Sequence, residues 1–126
     1  MAEVVELLGI YDADGGVAGE VRYVLGHLLG TADCALCDVT HSPVRRKRSW
    51  DQLVADLDVA LTVVHRNEVP DWAAPTARAT DLPAVLARRA DERVEVLLER
   101  ADLTACAGSV EAFGARLTRA RSAPSR

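Results

Sequence analysis

The chain has 126 residues, enough for one domain with a core of its own. Hydrophobic residues make up 49% of it and charged residues 27%, and an aromatic content of only 4% predicts a core of valine, leucine and alanine. A formal net charge of −4 argues against general nucleic-acid binding, which needs a basic face. No apolar run reaches the roughly 18 residues of a membrane span, and no basic leader begins the chain. We expect a cytoplasmic protein with reduced thiols, no membrane partner, a single α/β domain over residues 1–120 and a flexible tail over 121–126.

The first half of the chain contains one strand pattern and two helix patterns. Residues 4–11 form a short apolar run that leads into a turn of aspartates and glycines, which is typical of a strand. Over residues 17–29 apolar side chains recur at three- and four-residue spacing, which predicts an amphipathic helix that ends at Gly30. After a cysteine-containing segment, Ser49 is a suitable N-cap for a short helix that ends at Leu57.

The second half indicates a sheet that a helix follows. The β-branched apolar run at residues 59–64 predicts an interior strand, and the proline-containing residues 67–81 predict a long irregular connection. Residues 83–87 and 93–98 flank a charged turn and predict a β-hairpin. Ser109 predicts the start of a terminal helix. The pattern favours a small mixed sheet with a C-terminal hairpin, and its open edges would allow a homodimer.

This order of elements resembles the thioredoxin-like fold, in which a strand–helix half precedes a hairpin and a terminal helix. Pro83 opens the first hairpin strand, where that fold commonly carries a cis-proline beside its active site. In thioredoxins the CxxC motif directly follows the first strand and opens the first helix. Here the corresponding residues 12–20 contain no cysteine, and Cys34 follows the predicted helix. The resemblance therefore implies the fold and not the redox activity.

The strongest chemical signal is the segment Cys34-Ala-Leu-Cys37-Asp-Val-Thr-His41. Together with the Tyr-Asp-Ala-Asp-Gly string at residues 11–15, it resembles a family of small bacterial proteins without an assigned function. Two thiols and an imidazole are ligands that select zinc, copper or iron. The leading hypothesis is a zinc site formed by Cys34, Cys37 and His41, with His65 as the fourth ligand and a structural, catalytic or metal-transfer role.

Two other functions compete with metal binding. In a thiol–disulfide oxidoreductase, Cys34 would attack a disulfide and Cys37 would resolve the intermediate. In a non-catalytic interaction domain, both cysteines would be small buried hydrophobic residues, which is a common role of free cysteines.

Further candidate sites are weaker. The run Arg45, Arg46, Lys47 and Arg48 could bind a small anionic ligand, although such runs are more often solvated loops. The Asp12-x-Asp14-Gly string resembles the first motif of haloacid dehalogenase phosphatases, but a strand-to-helix turn explains it better. Pocket candidates follow the first strand and lie on the first predicted helix: Tyr11, Asp12, Glu20 and Tyr23.

Overall fold

The computed structural model describes residues 3–12, 34–42 and 45–122. The strands are β1 (Val4–Ile10), β2 (His41–Ser42), β3 (Arg45–Arg46), β4 (Ala60–Val64), β5 (Ala84–Arg89) and β6 (Val94–Leu98). The helices are α1 (Ala35–Thr40), α2 (Arg48–Asp56), α3 (Ala74–Arg78), α4 (Arg100–Ala105) and α5 (Val110–Ser122). Among these helices none is long and apolar enough to cross a membrane.

The described residues form a four-stranded mixed sheet in the order β4-β1-β5-β6. β1 is parallel to β4 and antiparallel to β5, and β5 forms an antiparallel hairpin with β6. β2 and β3 pair separately as a two-residue ladder. The predicted mixed α/β architecture with a hairpin and a terminal helix is confirmed at this level.

Hydrophobic side chains cover both faces of the sheet because successive residues of a strand point to opposite sides. Leu7 joins the larger cluster, which includes Leu36 of α1 and Phe113 of α5. Leu8 and Ile10 join the smaller cluster, to which α3 contributes. α1 lies close to β1 at Gly9, where a Cβ atom would come within 3.2 Å of Leu36 Cδ2. The helix that carries the cysteines is therefore packed directly on the central strand.

The structure corrects three expectations about the second half. β4 is an edge strand of the described sheet rather than an interior one, since it comes first in the strand order and pairs with β1, and its Ala60 and Thr62 are exposed. The connection predicted to be irregular contains α3, whose first turn holds Pro75, a position that proline tolerates. α4 was not predicted. Its N-terminus forms a capping box in which Glu99 and Asp102 exchange side-chain and backbone hydrogen bonds.

The predicted start of α2 is wrong, because its N-cap is Lys47, without a side-chain cap, and Ser49 lies in its first turn. The predictions for the C-terminal helix agree with the structure in part. Ser109 Oγ accepts a hydrogen bond from the Ala112 N–H, so it caps α5 as expected. α5 continues to Ser122, and Arg121 pairs with Asp58 at 2.8 Å, so residues 121 and 122 belong to the helix and not to a tail. Residues 123–126 and the helix predicted for residues 17–29 lie outside the described residues. The Leu82–Pro83 peptide bond is cis.

Lys47, the single lysine of the chain, joins α1 to the turn between α4 and α5. Its Nζ donates hydrogen bonds to the backbone carbonyls of Asp38, at 2.8 Å, and Gly108, at 2.5 Å. Gly108 has a φ of +78°, a left-handed conformation that favours glycine, and it packs against Asp38. The ammonium group therefore stabilises a contact between distant segments, and a small anionic ligand at residues 45–48 stays a prediction.

Replacement of Lys47 by methionine should lower the free energy of unfolding by about 1–2 kcal/mol, because two carbonyls lose a charged donor. Chemical denaturation measures the change. The matched control is Arg48→Met, which removes an exposed cation next in sequence and should change stability by less than about 0.5 kcal/mol. Equal effects of the two substitutions would show that the Lys47 hydrogen bonds contribute little.

Candidate active site

Cys34 lies at the carboxyl end of β1, although residues 13–33 separate the two in sequence. Its Sγ accepts a hydrogen bond from the Asp12 N–H at 3.4 Å, two residues beyond the end of the strand. The same Sγ accepts the Cys37 N–H at 3.4 Å, so Cys34 is the side-chain N-cap of α1. The CxxC motif thus follows β1 in space, although it does not follow it in sequence.

These contacts favour the thiolate of Cys34. The hydrogen bond from the Cys37 side chain is the main cause that lowers the pKa of the Cys34 thiol below its usual value. Burial raises this pKa, but the backbone N–H groups of Cys37, Asp12 and Leu36 lower it further. The net direction is downward. Cys34 and Cys37 are both free thiols. In the hydrogen bond between their side chains Cys37 donates and Cys34 accepts.

Cys106 is a useful contrast to this pair. It too is a free, buried cysteine, and its Sγ donates a hydrogen bond to the Asp102 carbonyl at 3.4 Å. Burial raises the pKa of its thiol, while nearby Arg116 lowers that pKa and Asp102 raises it. Burial alone therefore does not activate a thiol in this protein, and the hydrogen-bond donors around Cys34 make the difference.

A small pocket adjoins Cys34. Its volume is about 230 Å³. It is lined by Cys34, Ala35 and Asp38 of the α1 region, by Pro83, and by Arg100, Leu103, Thr104, Ala107 and Gly108 of the α4 region. Lys47 holds two of these walls together through the carbonyls of Asp38 and Gly108. A molecule that reaches the nearly buried thiol from this side must fit this space.

A second polar cluster lies at the other end of α1. Tyr11 Oη and Thr40 Oγ1 are 2.7 Å apart, and Thr40 Oγ1 is 2.6 Å from His41 Nδ1. Thr40 also donates to the Cys37 carbonyl at 3.3 Å. Its hydroxyl is fully buried, and a buried hydroxyl needs such partners. This network fixes the orientation of His41 relative to the end of β1.

His65 belongs to the same cluster. Its ring centroid is 5.2 Å from that of Tyr11, and the His41 ring is 5.9 Å away on the same tyrosine. His65 Nδ1 is 2.6 Å from a carboxylate oxygen of Glu68, which lowers the pKa of that carboxyl. Tyr11 and His65 follow the parallel strands β1 and β4, and both histidines line a pocket of about 430 Å³.

The structure brings the predicted ligands together in two groups, not one. Cys34 lies with Cys37, while His41 lies with His65 around Tyr11. In residues 3–12, 34–42 and 45–122, no three histidine, cysteine or acidic side chains are grouped as they would be to hold a metal ion. The zinc hypothesis therefore stays a prediction.

The remaining candidates have varied positions. Asp12 contributes its backbone N–H to Cys34, and its carboxylate accepts from Arg66 at 3.3 Å. Glu20, Tyr23 and Asp14, the second aspartate of the phosphatase-like string, lie outside the described residues. Sequence reasoning missed Thr40 and Arg100. Thr40 lies inside the cysteine segment and could have been suspected, whereas nothing local indicates that Arg100 lies beside Cys34.

The chain matches no protein-family model, no curated protein and no solved structure. The geometry around Cys34 is therefore the main guide to function.

The lowered pKa of the Cys34 thiol predicts the direction of a pH titration. Thiolate ultraviolet absorbance should appear below the pH expected for an ordinary cysteine, and Cys37→Ala should move it upward because the main donor is lost. Cys37→Ser, which retains a hydroxyl donor, should raise the pH at which the thiolate absorbance appears by a smaller amount. Since folding lowers this pKa, ionisation of Cys34 stabilises the fold above the unfolded-state pKa, and this contribution disappears as pH falls through the folded-state pKa.

The control for this titration is Cys106→Ser, which should leave unchanged the thiolate absorbance that appears below the pH of an ordinary cysteine. Cys34→Ser should remove that absorbance. If this low-pH thiolate absorbance persists in Cys34→Ser, the assignment of the lowered pKa to Cys34 is contradicted.

Proposed function

We propose that this protein is a thiol–disulfide oxidoreductase with a thioredoxin-like layout, in which Cys34 attacks a disulfide and Cys37 resolves the mixed disulfide. The observation that carries the proposal is the environment of Cys34 Sγ, which accepts the backbone N–H groups of Asp12 and Cys37. Donors that point at a sulfur stabilise its thiolate, and the thiolate is the nucleophile in disulfide exchange.

The thioredoxin-like layout is part of this proposal, and the sheet supports it. The parallel strands β1 and β4 are completed by the antiparallel hairpin of β5 and β6. The sequence departs from thioredoxins because residues 13–33 stand between β1 and the CxxC motif. The hydrogen bond between Asp12 and Cys34 compensates for this departure, since it returns the motif to the end of β1.

The reaction that we propose has two exchange steps. The Cys34 thiolate attacks one sulfur of a substrate disulfide, a mixed disulfide forms, and the other substrate sulfur leaves as a thiolate. Cys37 then loses its proton and attacks Cys34 Sγ, which releases the second substrate thiol and forms the Cys34–Cys37 disulfide. The substrate gains two electrons and two protons, and the protein dithiol loses them. A dithiol reductant would regenerate the reduced protein in a further exchange.

Oxidation of the reduced protein by an uncharged disulfide, bis(2-hydroxyethyl) disulfide, tests the proposal. Intact-mass analysis of the wild type should show loss of two hydrogen atoms, and Cys37→Ser should stop at a mixed disulfide on Cys34. Cys34→Ser should not react at this site. Cys106→Ser, the matched control, should behave like the wild type because its thiol lies outside the pair. If the dithiol is not oxidised, or if Cys34→Ser reacts like the wild type, the proposal fails and the interaction-domain alternative gains support.

Metal binding remains the second candidate, because two adjacent thiols are also the beginning of a soft-metal site. Elemental analysis of protein purified without a tag or chelator should distinguish the two. The oxidoreductase proposal predicts no stoichiometric zinc, copper or iron in either the wild type or Cys34→Ser/Cys37→Ser. Stoichiometric metal that disappears in the double variant would favour the zinc hypothesis instead.

A further inference from the structure

The pocket beside Cys34 is small and contains both signs of charge. Its volume of about 230 Å³ is below the range of about 300 to 1,000 Å³ that is usual for drug-sized ligands. Its lining includes the apolar residues Ala35, Leu103 and Ala107 and the charged residues Arg100 and Asp38. A ligand here is therefore limited in size and meets a cation, an anion and the nucleophilic cysteine.

Arg100 is the cation of this pocket. It is the first residue of α4, and its side chain is exposed at the pocket. In the part of the chain that the structure describes, its guanidinium has no ion pair, whereas Arg88, Arg89, Arg116 and Arg121 each pair with a carboxylate. A guanidinium binds a carboxylate through two parallel hydrogen bonds, so Arg100 is suited to a ligand carboxylate.

Asp38 is the anionic residue among those that line the pocket. Its backbone carbonyl accepts from Lys47, which holds this turn of α1 against Gly108. Asp38 lies one helical turn after Cys34, the N-cap of α1, and its backbone N–H donates to the Cys34 carbonyl at 3.0 Å. An ammonium group next to the reacting sulfur could therefore interact with this carboxylate.

We infer that the pocket binds one half of a small amino-acid disulfide, with the α-carboxylate on Arg100, the α-ammonium on Asp38 and the sulfur at Cys34. Cystine is the simplest member of this class. This inference rests on the proposed oxidoreductase function and names its substrate class. Cys34 attacks one cystine sulfur and expels a cysteine thiolate, and Cys37 then releases the second cysteine as the protein disulfide forms. Cystine is reduced by two electrons, and the Cys34–Cys37 dithiol is oxidised by two.

Burial favours such a substrate over a disulfide in a folded protein. Cys34, the cysteine that lines the pocket, is only 2% exposed, so a protein loop would have to enter the pocket to reach its sulfur from this side. A small amino-acid disulfide can enter this space. Its charged groups then bind Arg100 and Asp38 and orient the sulfur for attack.

Three small disulfides separate the roles of the two charges. Cystine carries both groups, cystamine lacks the carboxylate, and 3,3′-dithiodipropionate lacks the ammonium. The second-order rate constant for oxidation of the reduced protein is measured with each disulfide and divided by the rate constant of the same disulfide with free glutathione. Cystine should exceed both analogues by about tenfold in this ratio, because each analogue loses one charge-assisted contact.

Variants assign each contact to its residue. Arg100→Gln should reduce the constants for cystine and dithiodipropionate by about five- to tenfold and change that for cystamine by less than about twofold. Asp38→Asn should reduce the constants for cystine and cystamine and spare dithiodipropionate. Arg100→Lys should restore part of the loss. Arg93→Gln, the matched control, removes an exposed cation outside the pocket and should leave all three constants unchanged.

The results distinguish this inference from the function on which it rests. If bis(2-hydroxyethyl) disulfide oxidises the dithiol but the three charged disulfides give equal ratios, the substrate class is wrong and the oxidoreductase proposal stands. The inference is also overturned if Arg100→Gln lowers all three constants equally. If no disulfide oxidises Cys34 and Cys37, both proposals fail.

Discussion

Two backbone N–H groups that converge on one sulfur are the constraint on which this site depends. The Asp12 amide comes from the end of β1 and the Cys37 amide from the first turn of α1, and both donate to Cys34 Sγ. Sulfur is a weak acceptor, but a nearly buried one without donors would lose its hydration without replacement. These bonds connect the central strand to the cysteine helix, and they also lower the pKa of the Cys34 thiol.

The helix between Cys34 and His41 separates the first thiol of the motif from its imidazole. An α-helix rises about 1.5 Å per residue, so the seven steps from Cys34 to His41 cover roughly 10 Å along its axis. A tight loop would have brought the same residues to one point. Thr40 strengthens the separation, because its buried hydroxyl holds His41 beside Tyr11. The same motif therefore supplies a dithiol at one end of α1 and an imidazole cluster at the other.

Local patterns predicted most of the strands and the terminal helix, because apolar periodicity reports which face of an element is buried. They did not distinguish an edge strand from an interior one, since the apolar run at β4 is also compatible with a strand that has one partner. α4 was missed because its capping box uses Glu99 and Asp102 rather than a serine or threonine signal. Contacts between distant segments left no local signal, and the approach of Asp12 to Cys34 is the most important of them.

Burial and hydrogen bonding act in opposite directions on the pKa of the Cys34 thiol. Their combination suits a thiol that reacts only with molecules that can reach it. Burial raises the pKa of the thiol, while the donors on Cys37, Asp12 and Leu36 lower it enough to reverse the direction. Cys106 has the burial without these donors, and its pKa moves upward instead. The burial that opposes ionisation also keeps bulky molecules away from the sulfur. Ionisation therefore depends on donors inside the protein, and access depends on what the adjoining pocket admits.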